Sequence, residues 1–268
     1  MIQGDDNGDA QSLAGDALVD LSKQNVIVTG GGSGIGLALA QKLAQSGSTA
    51  TISGRRADVL SAATQTSANL SACSGDITDT AHQDELFQSA QNHGSGPVTL
   101  LINNAGYLTL TNEFPDRGGS DDEIARLFAI NCVAPLQMTR RFIEQAERGG
   151  TVVQIGSLSG KVPVEAMAIY AGTKAGLAHA NAGLRTQASR HGVKLIHVQT
   201  PATATEMTDD MDLSMLDVNV LTNRILSGVA SGKNEIRPSL ECYATELGNR
   251  ISPALPKWFA DRRYRDFP

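Results

Sequence analysis

Between Asn25 and Gly47 the chain reads NVIVTGGGSGIGLALAQKLAQSG. A short apolar run ends in clustered glycines, and behind them aliphatic residues recur at helical spacing up to a glycine stop. A strand that turns through glycines directly into a helix is half of a strand–helix–strand unit, which few folds accommodate. The alternation continues downstream. TATISG reads as a second strand and RADVLSAATQT as a second helix. ANLSACSGD is a weak third strand, DTAHQDELFQSAQNHG a helix with Thr80 as its cap, and PVTLLINNAG a fourth strand. A long helix is expected over 121–147, a fifth strand in GTVVQIGS, a second long helix over about 166–190 and a sixth strand in VKLIHVQT. VNVLTNRILSGVASG then reads as a helix and NEIRPS as a short last strand. Strands that alternate with helices pair in parallel, so the expectation is an α/β fold with a doubly wound parallel sheet. About seven strands should carry helices on both faces. The runs VIV, LLI and VVQI suit strands buried on both sides.

The 268 residues suit one large domain of this kind, and no linker or internal repeat divides them after residue 23. The first 22 residues, rich in Asp and Gly, read as a mobile acidic extension without the basic and apolar regions of a secretory signal. Residues 23–268 then form a single domain that includes the C-terminal tail. Basic residues number 22 against 28 acidic ones, a net charge of −6, which offers no nucleic-acid footprint. No apolar run reaches membrane-spanning length, and membrane association is not expected. Cys73, Cys132 and Cys242 are odd in number and show no C-x-x-C, which fits a reducing cytoplasm. The five histidines lack metal-ligand spacing and read as surface or packing residues, so no metal site is expected.

The turn Thr29–Gly36, TGGGSGIG, needs glycine because only glycine lets the backbone turn sharply and approach a pyrophosphate closely. The helix that follows offers unpaired amides and a partial positive charge to phosphates. A glycine-rich turn alone is weak evidence; its place between a strand and a helix points to a dinucleotide. A second stretch, residues 152–176, places Ser157 before Tyr170 and puts Lys174 four residues beyond the tyrosine. Residues i and i+4 share a helix face, so an ordinary surface Tyr/Lys pair would look the same. Read chemically, an ammonium beside a phenol favours the tyrosinate and should lower its pKa from about 10 toward working pH.

Taken together these residues resemble the short-chain dehydrogenase/reductase family, in its single-domain branch, from about Asn25 to Ser239. The loop Thr29–Gly36 matches that family's cofactor loop, with Gly30, Gly34 and Gly36 in T-G-x-x-x-G-x-G spacing. NNAG (Asn103–Gly106) matches its motif after the fourth strand, Asn131 its helix asparagine, and Ser157, Tyr170 and Lys174 its serine and Y-x-x-x-K pair. The resemblance implies a Rossmann-fold oxidoreductase. Tyr170 would be general acid/base, Ser157 would orient the substrate oxygen, Lys174 would also hold the nicotinamide ribose, and Asn131 would anchor a water in a proton relay. Gly30, Ser33, Gly34, Ile35, Gly36, Asn104, Ala105 and Gly106 would contact the cofactor, with Asp76 and Ile77 at the adenine unless Asp76 is only a turn residue. A small carbonyl or alcohol would be the substrate, and a homodimer or homotetramer the assembly.

Cofactor choice is read from the end of the second strand. An acid there would bind a ribose 2′-hydroxyl, an arginine a 2′-phosphate. The sequence SGRR gives Gly54 followed by Arg55 and Arg56. Guanidinium groups bind phosphate through charge-assisted contacts, so NADP(H) is expected, with Arg55 its main contact and NAD the alternative. Where the family shows P-G-x-V-x-T, this chain has TPATATEM. Thr203 and Thr205 fall on the valine and threonine and would hold the carboxamide; Thr200 and Pro201 replace the Pro-Gly pair. The segment MTDDMDLSMLD suits an apolar substrate or lid as well as ordinary packing. The tail LPKWFADRRYRDFP suits a subunit contact or a lid folded back on the domain. A dinucleotide-binding redox sensor without turnover is the rival from another class, and the intact Ser157, Tyr170 and Lys174 set argues against it.

Overall fold

The computed structural model describes residues 18–110, 114, 119–146, 149–206 and 215–264. Seven strands form one sheet: β1 (Asn25–Thr29), β2 (Thr49–Gly54), β3 (Leu70–Ser74), β4 (Leu100–Asn103), β5 (Gly150–Ile155), β6 (Val193–Val198) and β7 (Glu235–Ile236). Their order is β3-β2-β1-β4-β5-β6-β7, and every pairing is parallel. The expected doubly wound sheet is therefore present.

Period-two alternation decides which face each strand residue serves. Val26 and Val28 point to one side, where they pack with Ile52, Leu100 and Ile102 against helices α1 (Gly34–Gln45) and α7 (Val218–Ala230). Ile27 and Leu101 point to the other side. There they meet Leu86 and Phe87 of α3 (Thr80–Gly94) and Met138 and Phe142 of α5 (Ala134–Gln145). The 23-residue α6 (Ala168–Arg190) adds Ala188 to that layer. Each of these large side chains is at most 2% exposed. Burial of such a side chain contributes roughly 1.5–3 kcal/mol, which is what holds a chain so poor in aromatics together.

Several local features depart from the sequence reading. The cap of α3 is Asp79, whose carboxylate accepts the Ala81 N–H at 2.9 Å, rather than Thr80. The first long helix is not continuous: α4 (Asp121–Phe128) passes through a π-helical turn, Ala129–Val133, before α5 begins. Glu147, its expected end, lies outside the described residues. The second long helix starts at Ala168, after a 3-10 turn over Glu165–Met167. Beyond β7 the chain forms two helices that periodicity did not suggest, α8 (Leu240–Ile251) and α9 (Ala254–Arg263). Of the proposed N-terminal extension only residues 18–22 are described, and there the Val19 N–H donates to the Ala230 carbonyl at the end of α7, 3.0 Å away. Among the described residues no helix is long and apolar enough to cross a membrane.

Candidate functional site

A cleft of about 1170 Å³ runs along the carboxyl ends of the strands. It opens beside β1 and β4, where the strand order reverses, the position at which doubly wound sheets bind ligands.

One end is built on the glycine turn. Gly30 and Gly34 have φ of +64° and +54°, left-handed values that favour glycine. A methyl group on Gly36 would lie 2.3 Å from the Gly30 carbonyl oxygen and 2.4 Å from Asn104 Nδ2. The NNAG segment is the brace. Asn104 Nδ2 donates to the carbonyls of Thr29 and Gly30, both at 3.0 Å, while the Thr29 hydroxyl accepts the N–H groups of Asn104 and Ala105. Asn104 thus shapes the turn through its side chain. Replacement of Gly36 by alanine should force the turn open. Overpacking of this kind destabilises by about 1–3 kcal/mol. Dinucleotide affinity should fall with it, readable by fluorescence titration beside a thermal melt.

Gly30, Ser33, Gly34, Ile35, Arg55, Asp76, Ile77, Asn104, Ala105, Gly106, Ser157, Tyr170, Lys174, Thr203 and Thr205 all line this cleft. Gly36 and Asn131 stand behind its wall. At the rim the two arginines differ. Arg56 makes a two-pronged ion pair with Glu206, both contacts 2.9 Å, and Ser33 also hydrogen-bonds that carboxylate. Arg55 is exposed and makes no salt bridge among the described residues. Its charge helps to hold Asp76 below the ordinary carboxylate range, behind the larger effect of the Thr78 N–H. Asp76 Oδ1 accepts both the Thr78 N–H (2.9 Å) and its hydroxyl (2.8 Å), so that oxygen serves the turn.

At the other end the Ser157 hydroxyl lies 2.8 Å from that of Ser159 and hydrogen-bonds the Tyr170 phenol. Lys174 Nζ sits 5.8 Å from the centre of the Tyr170 ring and donates to the Ile155 carbonyl at 3.2 Å. Asn131, fully buried in the π turn, accepts the Tyr107 N–H (2.8 Å) and donates to the Tyr107 carbonyl (2.7 Å) and the Thr173 hydroxyl (3.2 Å). Its side chain therefore fixes the strand end that leads to Tyr107. A π turn inserts one residue into a helix and often marks a functional position.

The electrostatics differ from the expectation. Tyr170 is half-buried as a residue, yet burial pushes its phenol up to about 12, against the smaller opposing effect of the Ser157 hydrogen bond. Burial also lowers Lys174 to about 8. Desolvation disfavours both charges, the tyrosinate and the ammonium, and is the largest effect on each. Tyr170 is thus protonated at neutral pH, the form that can give a proton.

The segment after β6, where threonine and proline replace the Pro-Gly pair, is held by its own hydrogen bonds. Thr200 Oγ1 donates to the Gly156 carbonyl at 2.6 Å, and Thr203 bridges to Leu216 through backbone bonds on either side. Of the stretch MTDDMDLSMLD, residues 207–214 lie outside the described residues. Within residues 255–264 the tail folds back: Leu255, Pro256, Phe259, Ala260, Arg263 and Tyr264 line the cleft, and α8 adds Glu241, Ala244 and Thr245. Sequence reasoning offered the tail as a folded-back lid but missed the α8 residues along with Tyr107, Val162 and Met167. The aromatic cluster at Trp258 and Phe259 was the signal for the tail.

The comparisons agree with this geometry. The short chain dehydrogenase family matches residues 24–215. The 3-oxoacyl-[acyl-carrier-protein] reductase MabA of Mycobacterium avium is 30% identical over 191 residues, 70% of this chain and 71% of that one. Gluconate 5-dehydrogenase of Gluconobacter oxydans is 30% identical over 197 residues, 72% and 76% of the two chains. A short-chain dehydrogenase from Sphingobium yanoikuyae, solved in complex with NADPH, superposes with a TM-score of 0.72 at 25% identity, over 88% of this chain and 94% of its own. One from Burkholderia cenocepacia, solved with NADP, gives 0.80 at 22% identity over 90% and 99%, and at that identity speaks for the fold alone. With the glycine turn, its asparagine brace and the Ser157, Tyr170 and Lys174 group along one cleft, and with the family match spanning most of the chain, this protein belongs to the short-chain dehydrogenase family of oxidoreductases.

Proposed function

We propose that the protein is an NADP(H)-dependent oxidoreductase that moves a hydride between the nicotinamide and a ketone, an aldehyde or a secondary alcohol. The observation that carries the reading is the cleft itself, which has the glycine turn and the exposed Arg55 at one end and Ser157, Tyr170 and Lys174 at the other. The residues present fit a dinucleotide: the turn is open to phosphates, and an exposed arginine that makes no salt bridge among the described residues stands where a 2′-phosphate would need one. Bound NADPH would supply the hydride to the carbonyl carbon. Ser157 then orients the carbonyl oxygen, and Tyr170 delivers the proton to it as negative charge develops. Lys174 would restrain the tyrosine and hold the ribose, and Thr203 and Thr205 would hold the carboxamide. Asn131 keeps Tyr107 and Thr173 in place beneath the relay. Alcohol oxidation runs the same transfers backward.

The substrate end is walled by Val162, Val164, Met167, Leu255 and Phe259, which suits an apolar substrate. The relatives named for an oxo group and for a dehydrogenase agree with carbonyl or alcohol chemistry. The unpaired Cys73, Cys132 and Cys242 suit a reducing cytoplasm. Phe128 and Val133, on the run from α4 to α5, are exposed, and a homodimer or homotetramer would bury them.

The test is the dissociation constants of NADPH and NADH. A charge-assisted contact contributes roughly 1.5–3 kcal/mol, and about 1.4 kcal/mol is tenfold, so NADPH should bind roughly ten- to a hundredfold more tightly. Salt should erode the preference, because Arg55 is exposed. Arg55→Asp should reverse it, by repelling the phosphate and accepting a bond from the ribose hydroxyl. Equal affinities in the wild type, or an unmoved ratio in the variant, would leave Arg55 as a solvated helix start and NAD as the cofactor.

A further inference from the structure

Away from the catalytic end, β3 and α3 bring together three side chains with metal-binding chemistry. Cys73 lies on β3, and His82 and Glu85 lie three residues apart on α3, on one face of the helix. One ligand atom from each falls within 4.8 Å of the other two. Cys73 and His82 are buried, at 7% and 5% exposure, while Glu85 is exposed. Nothing in the proposed oxidoreductase mechanism uses this group.

The histidine is held as a ligand would be. Its Nε2 is 2.8 Å from the Ser53 hydroxyl, and its Nδ1 is 4.0 Å from Cys73 Sγ. With Ser53 accepting the Nε2 proton, the Nδ1 lone pair faces the thiol. A hydrogen bond on the far ring nitrogen is the usual way a protein fixes a metal-binding imidazole. Gly75 makes room for the ring: a methyl group there would lie 2.2 Å from Nδ1. A tetrahedral zinc with its ordinary bond lengths sets sulfur and nitrogen about 3.6 Å apart. The Cys73–His82 separation must therefore close by only a few tenths of an ångström. Glu85, on a flexible exposed stem, can swing in as third ligand and leaves a path from solvent.

We infer that Cys73 Sγ, His82 Nδ1 and a Glu85 carboxylate oxygen form a site for a borderline-soft divalent ion, Zn²⁺ above all, with water in the fourth position. Thiolate with imidazole selects zinc over magnesium or calcium, which prefer oxygen. Binding replaces the thiol proton, which passes to the buffer, and no oxidation state changes. The ion ties β3 to α3 across the turn that carries Asp76 and Ile77 at the cofactor cleft. Sequence spacing hides the site because it is completed across a strand-to-helix turn rather than by a compact motif.

The test uses the reduced, untagged chain and Co²⁺ as a spectroscopic probe for Zn²⁺. One Co²⁺ per chain should bind with a near-ultraviolet thiolate-to-metal band, and Zn²⁺ should displace it. Cys73→Ser should abolish the band. Glu85→Gln, at an exposed position, should leave the metal-free melting temperature unchanged and weaken binding about tenfold or more. Zn²⁺ should raise the wild-type melting temperature progressively with concentration, because it binds the folded chain. The site is overturned if no band forms, if the band survives Cys73→Ser and so belongs to Cys132 or Cys242, or if Glu85→Gln binds as tightly as the wild type.

Discussion

Tyr170→Phe should cut turnover by about 10²–10⁴-fold, the usual worth of a positioned general acid, and leave NADPH affinity within a few-fold of wild type. Phenylalanine keeps the ring against Lys174 and removes only the hydroxyl that faces Ser157. The loss should therefore appear in kcat and not in cofactor binding. A pH profile sharpens the test. A phenol at about 12 stays protonated throughout the neutral range. Its conjugate base is still weaker than an alkoxide, whose alcohol is about as poor an acid as bulk water at ~15.7. Proton donation to the reduced carbonyl is thus downhill, and carbonyl reduction should show no Tyr170-dependent decline between about pH 6 and about pH 9. Oxidation needs the tyrosinate and should accelerate as pH rises. Turnover near wild type in Tyr170→Phe would remove the tyrosine from the mechanism. A decline of reduction in that window that disappears in the variant would show a phenol ionising far below 12.

The direction of that pKa is where sequence reading and structure part most clearly. From spacing alone Lys174 is an ammonium one helical turn from a phenol, and attraction is the only effect visible. Burial is not written in a four-residue spacing. It arises where β5, the π turn and α9 close around the pair, and it disfavours both charges at once. The same distinction separates what else was legible. The glycine turn and the strand alternation are local patterns, and both appear where the sequence puts them. The π turn at Asn131 sits inside an unbroken helical pattern and shows itself only through the Tyr107 contacts it permits. The ion pair of Arg56 with Glu206 joins residues 150 apart, so no local reading could assign different roles to Arg55 and Arg56 on that ground. Helix α8 was invisible for another reason: Leu240, Leu247 and Ile251 are 60% exposed or more, so the helix lacks the buried stripe that periodicity detects.

Burial of the Lys174 ammonium should cost the fold stability, and Lys174→Met should expose this. Methionine fills much of the same volume without charge. Turnover should collapse, and NADPH affinity should fall as well, because Lys174 serves both the proton relay and the ribose in the proposed mechanism. Stability should respond in the opposite sense at high and low pH. The lysine is 5% exposed and its ammonium is held at about 8, below its ordinary value of 10.5. Below about pH 8 the lysine is protonated in both folded and unfolded chains, and the buried charge imposes its full penalty. Between the two values the unfolded chain binds the extra proton, so wild-type stability rises with pH. A shift of this size corresponds to about 3 kcal/mol, partly offset in the wild type by the bond to the Ile155 carbonyl, which contributes roughly 0.5–1.5 kcal/mol. Near pH 7 the methionine variant should therefore be at least as stable as the wild type. The wild type should then gain on it by about 3 kcal/mol as pH rises through about 10.5. Denaturant titrations of both proteins at several pH values measure that difference directly. A variant that is clearly less stable at pH 7, with a gap that does not change with pH, would mean that the lysine is solvated and carries no such penalty.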